Sequence, residues 1–252
     1  MSTKIALVTG GSRGIGKDIA LAMAKKGIDL IITYHSNKQA AEEVVNEINQ
    51  LGQTAVAFQL DTGNTGSFSA FLGQVTDYLQ KSRGSEQFDF LVNNAGTGLY
   101  APIAEVAEIQ FDEIFTIHFK GVFFLTQQCL PYIKEQGAIL NISSGLTRIT
   151  MVGSSVYASA KAAVETLTRY LAKELGPRKI RVNVLAPGAI ETDFAGGRTR
   201  DNKEINSYIA GITALGRVGL PGDIGGVAAF LCTDEAGWIN GQRIEVSGGQ
   251  AI

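Results

Sequence analysis

The segment SSVYASAK, residues 154–161, sets a phenol, Tyr157, four residues ahead of an ammonium, Lys161. On a helix such positions share a face. Only Ser and Ala stand between them, so that face is open to whatever lies beside it. A tyrosine hydroxyl ordinarily titrates near pH 10, and a neighbouring cation favours its ionised form. The chemistry such a pair offers is proton exchange with an oxygen. The same residues also fit a plainer arrangement, in which Tyr157 covers a core edge and Lys161 lies over it with its charge in solvent.

A second cluster is suited to phosphate. TGGSRGIG, residues 9–16, follows an apolar run and opens a helical one. Gly10, Gly14 and Gly16 suit a turn where a pyrophosphate comes close to the backbone, and the helix beyond offers unpaired N–H groups and partial positive charge. The spacing is G-x-x-x-G-x-G rather than G-x-G-x-x-G.

The elements that must position these residues follow from periodicity. Residues 5–9, 28–34, 54–60, 88–94, 137–143, 180–186 and about 242–246 are short apolar, β-branched runs that predict buried strands. Between them, helical spacing predicts helices over 14–26, 38–51, 66–80, about 105–135, 154–176, 204–213 and 222–233. This alternation means one α/β domain over 1–252, a doubly wound parallel sheet with helices on both faces. Ligands bind at the carboxyl ends of such strands, where the Gly-rich turn falls. Ser144 ends the fifth strand, thirteen residues before Tyr157, and a return helix can bring the two together.

At the end of strand two an NAD site would place an acid, but this chain reads TYHSNK, 33–38. Arg13, Ser36, Asn37 and Lys38 could instead receive a 2′-phosphate, which favours NADP(H); Arg13 and Lys38 could equally be solvated charges. His35 could sit near that phosphate or be an exposed bystander. Asp61 could accept from an adenine amino group or merely start a turn.

TGGSRGIG, NNAG (93–96), the Ser144/Tyr157/Lys161 set, LAPGAIETD (185–193) and the closing INGQRIEVSGG (239–249) together resemble the short-chain dehydrogenase/reductase family over nearly the whole chain. Within it, the chain looks most like the acyl-carrier-protein ketoacyl reductases and related ketone reductases. The resemblance implies a Rossmann-type sheet of about seven strands in the order 3-2-1-4-5-6-7. It implies NADP(H) contacts from Gly10, Ser12, Arg13, Gly14, Ile15 and Gly16, then from His35, Ser36, Asn37, Asp61 and Thr62. Further contacts would come from Asn93, Ala95 and Gly96, and from Pro187, Gly188, Ile190 and Thr192. Tyr157 would be the proton donor to a ketone, with its pKa lowered by Lys161, which would also hold the nicotinamide ribose. Ser144 would donate to the substrate oxygen. Residues about 189–213 would form a substrate lid, with Tyr100, Met151, Phe194 and Tyr208 as candidate pocket walls. Members of the family are mostly homotetramers.

One departure stands out. Where the family has Asn on the long helix, supporting a water that leads to the lysine, this chain reads IHFKG with His118. An imidazole can hold a water or carry a proton, or His118 can be a satisfied core histidine.

Composition narrows the remaining classes. The chain has 252 residues, 45% hydrophobic and 18% charged, with formal net charge −2, so no basic field exists to gather nucleic acid or an anionic membrane. No apolar run approaches the ~18 residues of a membrane span, and a soluble cytoplasmic protein is expected. Cys129 and Cys232 lack Cys or His neighbours, so no metal site or disulfide framework is expected. The substrate would be a small or acyl-carrier-bound carbonyl compound. Two rivals remain. A nucleotide-sugar epimerase or dehydratase would need a larger C-terminal substrate region than 187–252 provides, and an NADP-binding sensor would have little need of Ser144, Tyr157 and Lys161 together.

Overall fold

Strands rich in Val, Ile, Leu and Phe can be buried on both faces only if helices cover both sides of the sheet. A computed structural model, describing residues 3–252, shows that arrangement. The strands are β1 (Ile5–Val8), β2 (Asp29–Tyr34), β3 (Ala55–Gln59), β4 (Phe88–Asn93), β5 (Ile133–Ile142), β6 (Arg181–Pro187) and β7 (Arg243–Val246). They form one sheet in the order β3-β2-β1-β4-β5-β6-β7, parallel throughout. The helices are α1 (Gly14–Lys25), α2 (Lys38–Gln50), α3 (Phe68–Arg83), α4 (Glu108–Phe115), α5 (Gly121–Cys129), α6 (Ser155–Glu174), α7 (Arg198–Asp201), α8 (Lys203–Gly211) and α9 (Gly222–Leu231).

Alternation along each strand divides the core in two. Ala6 and Val8 of β1 face a cluster built from α1, α2 and α9, including Ile19, Met23, Val44 and Ile224. Ile5 and Leu7 face the other way, against Phe68, Phe71, Val75 and Leu79 of α3 and against Leu125 of α5. Each fully buried side chain of this size contributes roughly 1.5–3 kcal/mol, which fixes the register of β1 within the sheet. Cys129 and Cys232 are both buried in this packing as free thiols, and burial drives the Cys129 thiol upward and the Cys232 thiol to about 12.

The expected long helix over 105–135 is present, running without a break from Glu108 to Tyr132 but with a change of pitch inside it. It is α4 and α5 joined by a π-helical turn, Thr116–Lys120, and it ends in a short 3-10 turn at Leu130–Tyr132. Pro131 lies in that last turn and cannot continue the helical hydrogen bonding. The fifth strand accordingly starts at Ile133, four residues earlier than periodicity indicated, and its pairing with β4 shifts register between Phe88 and Phe90. At that point Gln136 takes φ 64°, and a Cβ on Gly137 would lie 2.4 Å from the Asp89 carbonyl oxygen.

Candidate active site

The carboxyl ends of β1, β4, β5 and β6 border one cavity of about 770 Å³. Its floor is the turn from β1 into α1. Gly10 and Gly14 take φ 65° and 54°, conformations that cost residues with a Cβ about 1–2 kcal/mol. At Gly16 the constraint is space: a Cβ would lie 2.2 Å from the Gly10 carbonyl oxygen. No side chain caps α1, and no acid lies in its first turn. Its terminal N–H groups are therefore free for an anion.

The NNAG turn is sewn to this floor. Asn94 and Ala95 N–H groups donate to Thr9 Oγ1 at 2.9 and 3.0 Å, and Asn94 Nδ2 donates to the carbonyl oxygens of Thr9 and Gly10 at 2.9 and 3.2 Å. This uncapped turn, Gly-lined and closed by Ala95 and Gly96, fits a dinucleotide pyrophosphate.

Most of the residues expected to hold the cofactor line the cavity: Ser12, Arg13 and Ile15 beside the glycines, His35, Asp61 and Thr62 at the next strand ends, and Pro187 at the end of β6 with Gly188, Ile190 and Thr192 after it. Three do not. Asn93 is 4% exposed, and its Nδ2 donates to Thr126 Oγ1 and Asn141 Oδ1 at 3.0 and 2.9 Å. It is still inside β4, paired with Asn141 of β5, so its side chain serves a buried amide ladder, and Asn94 is the residue at the cavity. Asn37 is the cap of α2, accepting from the Ala40 N–H at 3.0 Å. Ser36 lies outside the cavity lining, as does Lys38, whose Nζ lies 3.3 Å from Glu42. Arg13, from the turn before α1, borders the cavity and Lys38 does not; His35, also at the cavity, has its Nε2 4.0 Å from Asp61 Oδ2.

Ser144, Tyr157, Lys161 and His118 meet in the same cavity. Lys161 is 4% exposed, and its Nζ donates to the Ile142 carbonyl at 2.7 Å while lying 5.7 Å from the Tyr157 ring centroid. Burial pushes the lysine pKa down to about 7. Burial also raises the Tyr157 phenol, with a hydrogen bond to the Ser144 hydroxyl pulling the other way. Burial thus opposes the lowering of the phenol that a lysine cation beside it favours. Desolvation acts on both groups and opposes charge on either.

His118 sits in the π-helical turn, 1% exposed. Its Nε2 lies 2.6 Å from the Thr97 carbonyl oxygen and 3.2 Å from the Thr97 N–H, while Nδ1 has no partner among the described residues. Its ring meets Tyr157 edge to face, centroids 5.1 Å apart. Burial first, and then the Lys161 charge, holds its pKa well below 6.5 despite the Thr97 contact, so the imidazole is neutral. Gly96 is needed beside it: a Cβ there would lie 2.5 Å from His118 Cε1.

The Ser144 turn is held from behind by residues with no local signature. Glu165 Oε1 accepts from Ser143 Oγ at 2.6 Å, Thr147 Oγ1 at 2.8 Å and Arg243 Nε at 2.9 Å. Arg243 comes from β7, far along the chain, so only the fold brings it here. Gln250, near the C-terminus, accepts from the Ala189 N–H at 3.0 Å and also borders the cavity. The four expected walls, Tyr100, Met151, Phe194 and Tyr208, all line it, Phe194 with its ring 5.7 Å from that of Tyr157.

A parallel sheet of this order, with an anion-binding turn and a Ser/Tyr/Lys set at one edge, defines a dinucleotide-dependent oxidoreductase. Residues 10–251 match the family model described as enoyl-(acyl carrier protein) reductase. The chain is 36% identical over 260 residues to a hydroxynaphthalene reductase-like protein of Metarhizium brunneum, covering 99% of this chain and 95% of that one. Among solved structures it superposes on the promiscuous reductase LugOII, which catalyses keto-reduction at C1 during lugdunomycin biosynthesis, with TM-score 0.92 and 37% identity over 98% and 96% of the two chains. It also superposes on the angucycline C-6 ketoreductase LanV with bound NADP, with TM-score 0.94 and 33% identity over 98% and 95%. The chain belongs to the short-chain dehydrogenase/reductase family.

Proposed function

We propose that this enzyme uses NADPH to reduce the ketone of a flat, ring-bearing molecule to a secondary alcohol. The observation that carries the reading is the meeting of Ser144, Tyr157 and Lys161 in the cavity that also holds the free N-terminus of α1. When bound, the cofactor supplies the hydride. Tyr157, kept protonated by its burial, gives a proton to the carbonyl oxygen, and Ser144 donates a hydrogen bond to that oxygen as charge develops. Lys161, charged below about pH 7, stabilises the phenolate left behind.

The cofactor preference rests on Arg13 bordering the cavity and on the absence of an acid at the end of β2. A cation on the 2′-phosphate should favour NADPH over NADH by about tenfold or more. The substrate class rests on the aromatic and thioether walls and on the ring-bearing compounds in the names of the similar reductases. An acyl-carrier-bound β-ketoacyl substrate is a second reading; the description of the matching family supports its acyl-carrier part and names an enoyl rather than a ketoacyl group. NADPH consumption with fused-ring ketones, simple ketones and β-ketoacyl thioesters separates these. Turnover of thioesters alone would replace the substrate class, and no turnover of any ketone would end the reading.

His118 is assigned as a positioning residue whose ring edge steadies Tyr157. Such aromatic pairs contribute about 0.5–1.5 kcal/mol, so His118→Ala should lower kcat about twofold to tenfold with KM for NADPH unmoved. An unchanged kcat would remove His118 from the site's function.

We also propose a cytoplasmic homotetramer. Phe111, Phe123, Phe124 and Tyr170 are exposed on α4, α5 and α6, rows of apolar surface suited to self-association. No described helix is long and apolar enough to cross a membrane. Light scattering that finds a monomer, or fractionation that finds the protein elsewhere, would refute the respective parts.

A further inference from the structure

The segment after β6 is tied to itself. Arg200 pairs with Asp193 and donates from Nε to Asp201 at 2.7 Å. Asn206 Nδ2 donates to Glu191 Oε1 at 2.6 Å and to the Thr199 carbonyl at 3.1 Å. Asn202 accepts from the N–H groups of Glu204 and Ile205, each at 3.0 Å. Residues 191–206 are thereby held as a unit. The chain turns within it through three successive left-handed residues, Ala195, Gly196 and Gly197, at φ 51°, 72° and 75°.

Its contacts across the cavity are of another kind. A Cβ on Gly98 would lie 2.8 Å from Ala195 Cβ and 3.1 Å from Phe194 Cε1, so the lid rests directly on the loop after β4. Arg198 places its guanidinium carbon 3.8 Å from the centroid of the Tyr100 ring. Unlike Arg200, it has no carboxylate partner among the described residues, so this stack is its principal engagement. Tyr100 is fixed in turn by the loop after β5: the Ala101 N–H donates to the Gly153 carbonyl at 2.9 Å, and a Cβ on Gly153 would lie 2.8 Å from Tyr100 Cε2. Three loops, following β4, β5 and β6, therefore meet at one cation–aromatic contact on the cavity wall.

We propose that the Arg198–Tyr100 stack is the latch of the lid and determines substrate selection. Closed, it holds Phe194 over Tyr157 and sets the height of the slot available to a ketone; released, it lets the self-tied segment lift as a unit. The consequence for substrates rests on the ketone-reductase reading above, but the latch itself does not.

Two measurements test it. Cation–π contacts at exposed sites are worth a factor of about twofold to fivefold, so Arg198→Ala and Tyr100→Leu should each raise amide hydrogen exchange across 194–201 by about that factor in the cofactor-free protein. Tyr100→Phe, which keeps the ring face, should not, nor should Lys203→Ala. Arg198→Ala and Tyr100→Leu together should exceed neither alone, because either one removes the same contact. In turnover, Arg198→Ala should raise KM for small ketones by about the same factor, relax discrimination against bulkier ones and leave NADPH affinity unchanged. Unchanged exchange in Arg198→Ala, or effects of the two substitutions that simply add, would overturn the latch. Faster exchange in a protein that reduces no ketone would keep the latch and overturn the substrate reading.

Discussion

Replacing Tyr157 by Phe is expected to lower kcat for ketone reduction by about 10²- to 10⁴-fold, the span that a positioned general acid supplies. Phe keeps the ring that packs between His118 and Phe194, so the cavity walls and the fold should persist. NADPH affinity should stay within about twofold, because the substitution removes one hydroxyl and leaves the phosphate-binding turn of α1 untouched. The residual rate would come from Ser144 and from the bound geometry alone. Single-turnover NADPH oxidation with a saturating ketone measures the chemical step without interference from product release. A variant that reduces the ketone at an undiminished rate would show that the proton comes from elsewhere, and Tyr157 would revert to a wall residue. Wild-type kcat/KM should also fall as pH rises through about 7, since Lys161 then loses its charge and with it the stabilisation of the phenolate.

Lys161→Met should abolish most activity and yet stabilise the cofactor-free protein. An unfolded chain keeps a lysine protonated up to about pH 10.4, whereas the folded chain releases the proton at about 7. Between these values the unfolded state binds more protons, so stability rises with pH; below about 7 both states bind the proton and the full penalty of burying the charge is present. That penalty is on the order of 5 kcal/mol, at about 1.4 kcal/mol for each pH unit between the two values. Met matches the shape of the lysine stem but leaves the Ile142 carbonyl without its 2.7 Å donor, a loss of about 1–3 kcal/mol. The net gain is roughly 3 kcal/mol, or about 6–12 °C in Tm for a chain of this size. Thermal unfolding near pH 6 and near pH 9 tests the sign: the advantage of the variant should be largest at the lower pH and shrink at the higher. An advantage independent of pH would mean that Lys161 is not the group being neutralised. The two substitutions separate roles that activity alone would merge, because one removes the donor and the other the charge beside it.

Local chemistry in the chain determined the fold and the contents of the site. Apolar β-branched runs separated by helical spacing admit little besides a parallel sheet with two covered faces, and the observed strand order follows the family resemblance. The Gly-rich turn, Ser144, Tyr157 and Lys161 were legible because each has a residue type and spacing that its chemistry requires. Tertiary structure decided what depends on depth and on distant partners. Asn93 and Asn94 are indistinguishable as letters, yet the end of β4 falls between them and sends one into the sheet and the other to the cavity. Arg243 and Glu165 support the Ser144 turn only because β7 and α6 close on it. Spacing places Tyr157 and Lys161 side by side, but two groups one turn apart tune each other by charge only where solvent and neighbours allow that charge to exist. Here desolvation dominates, and desolvation is a property of the packed cavity rather than of any stretch of sequence.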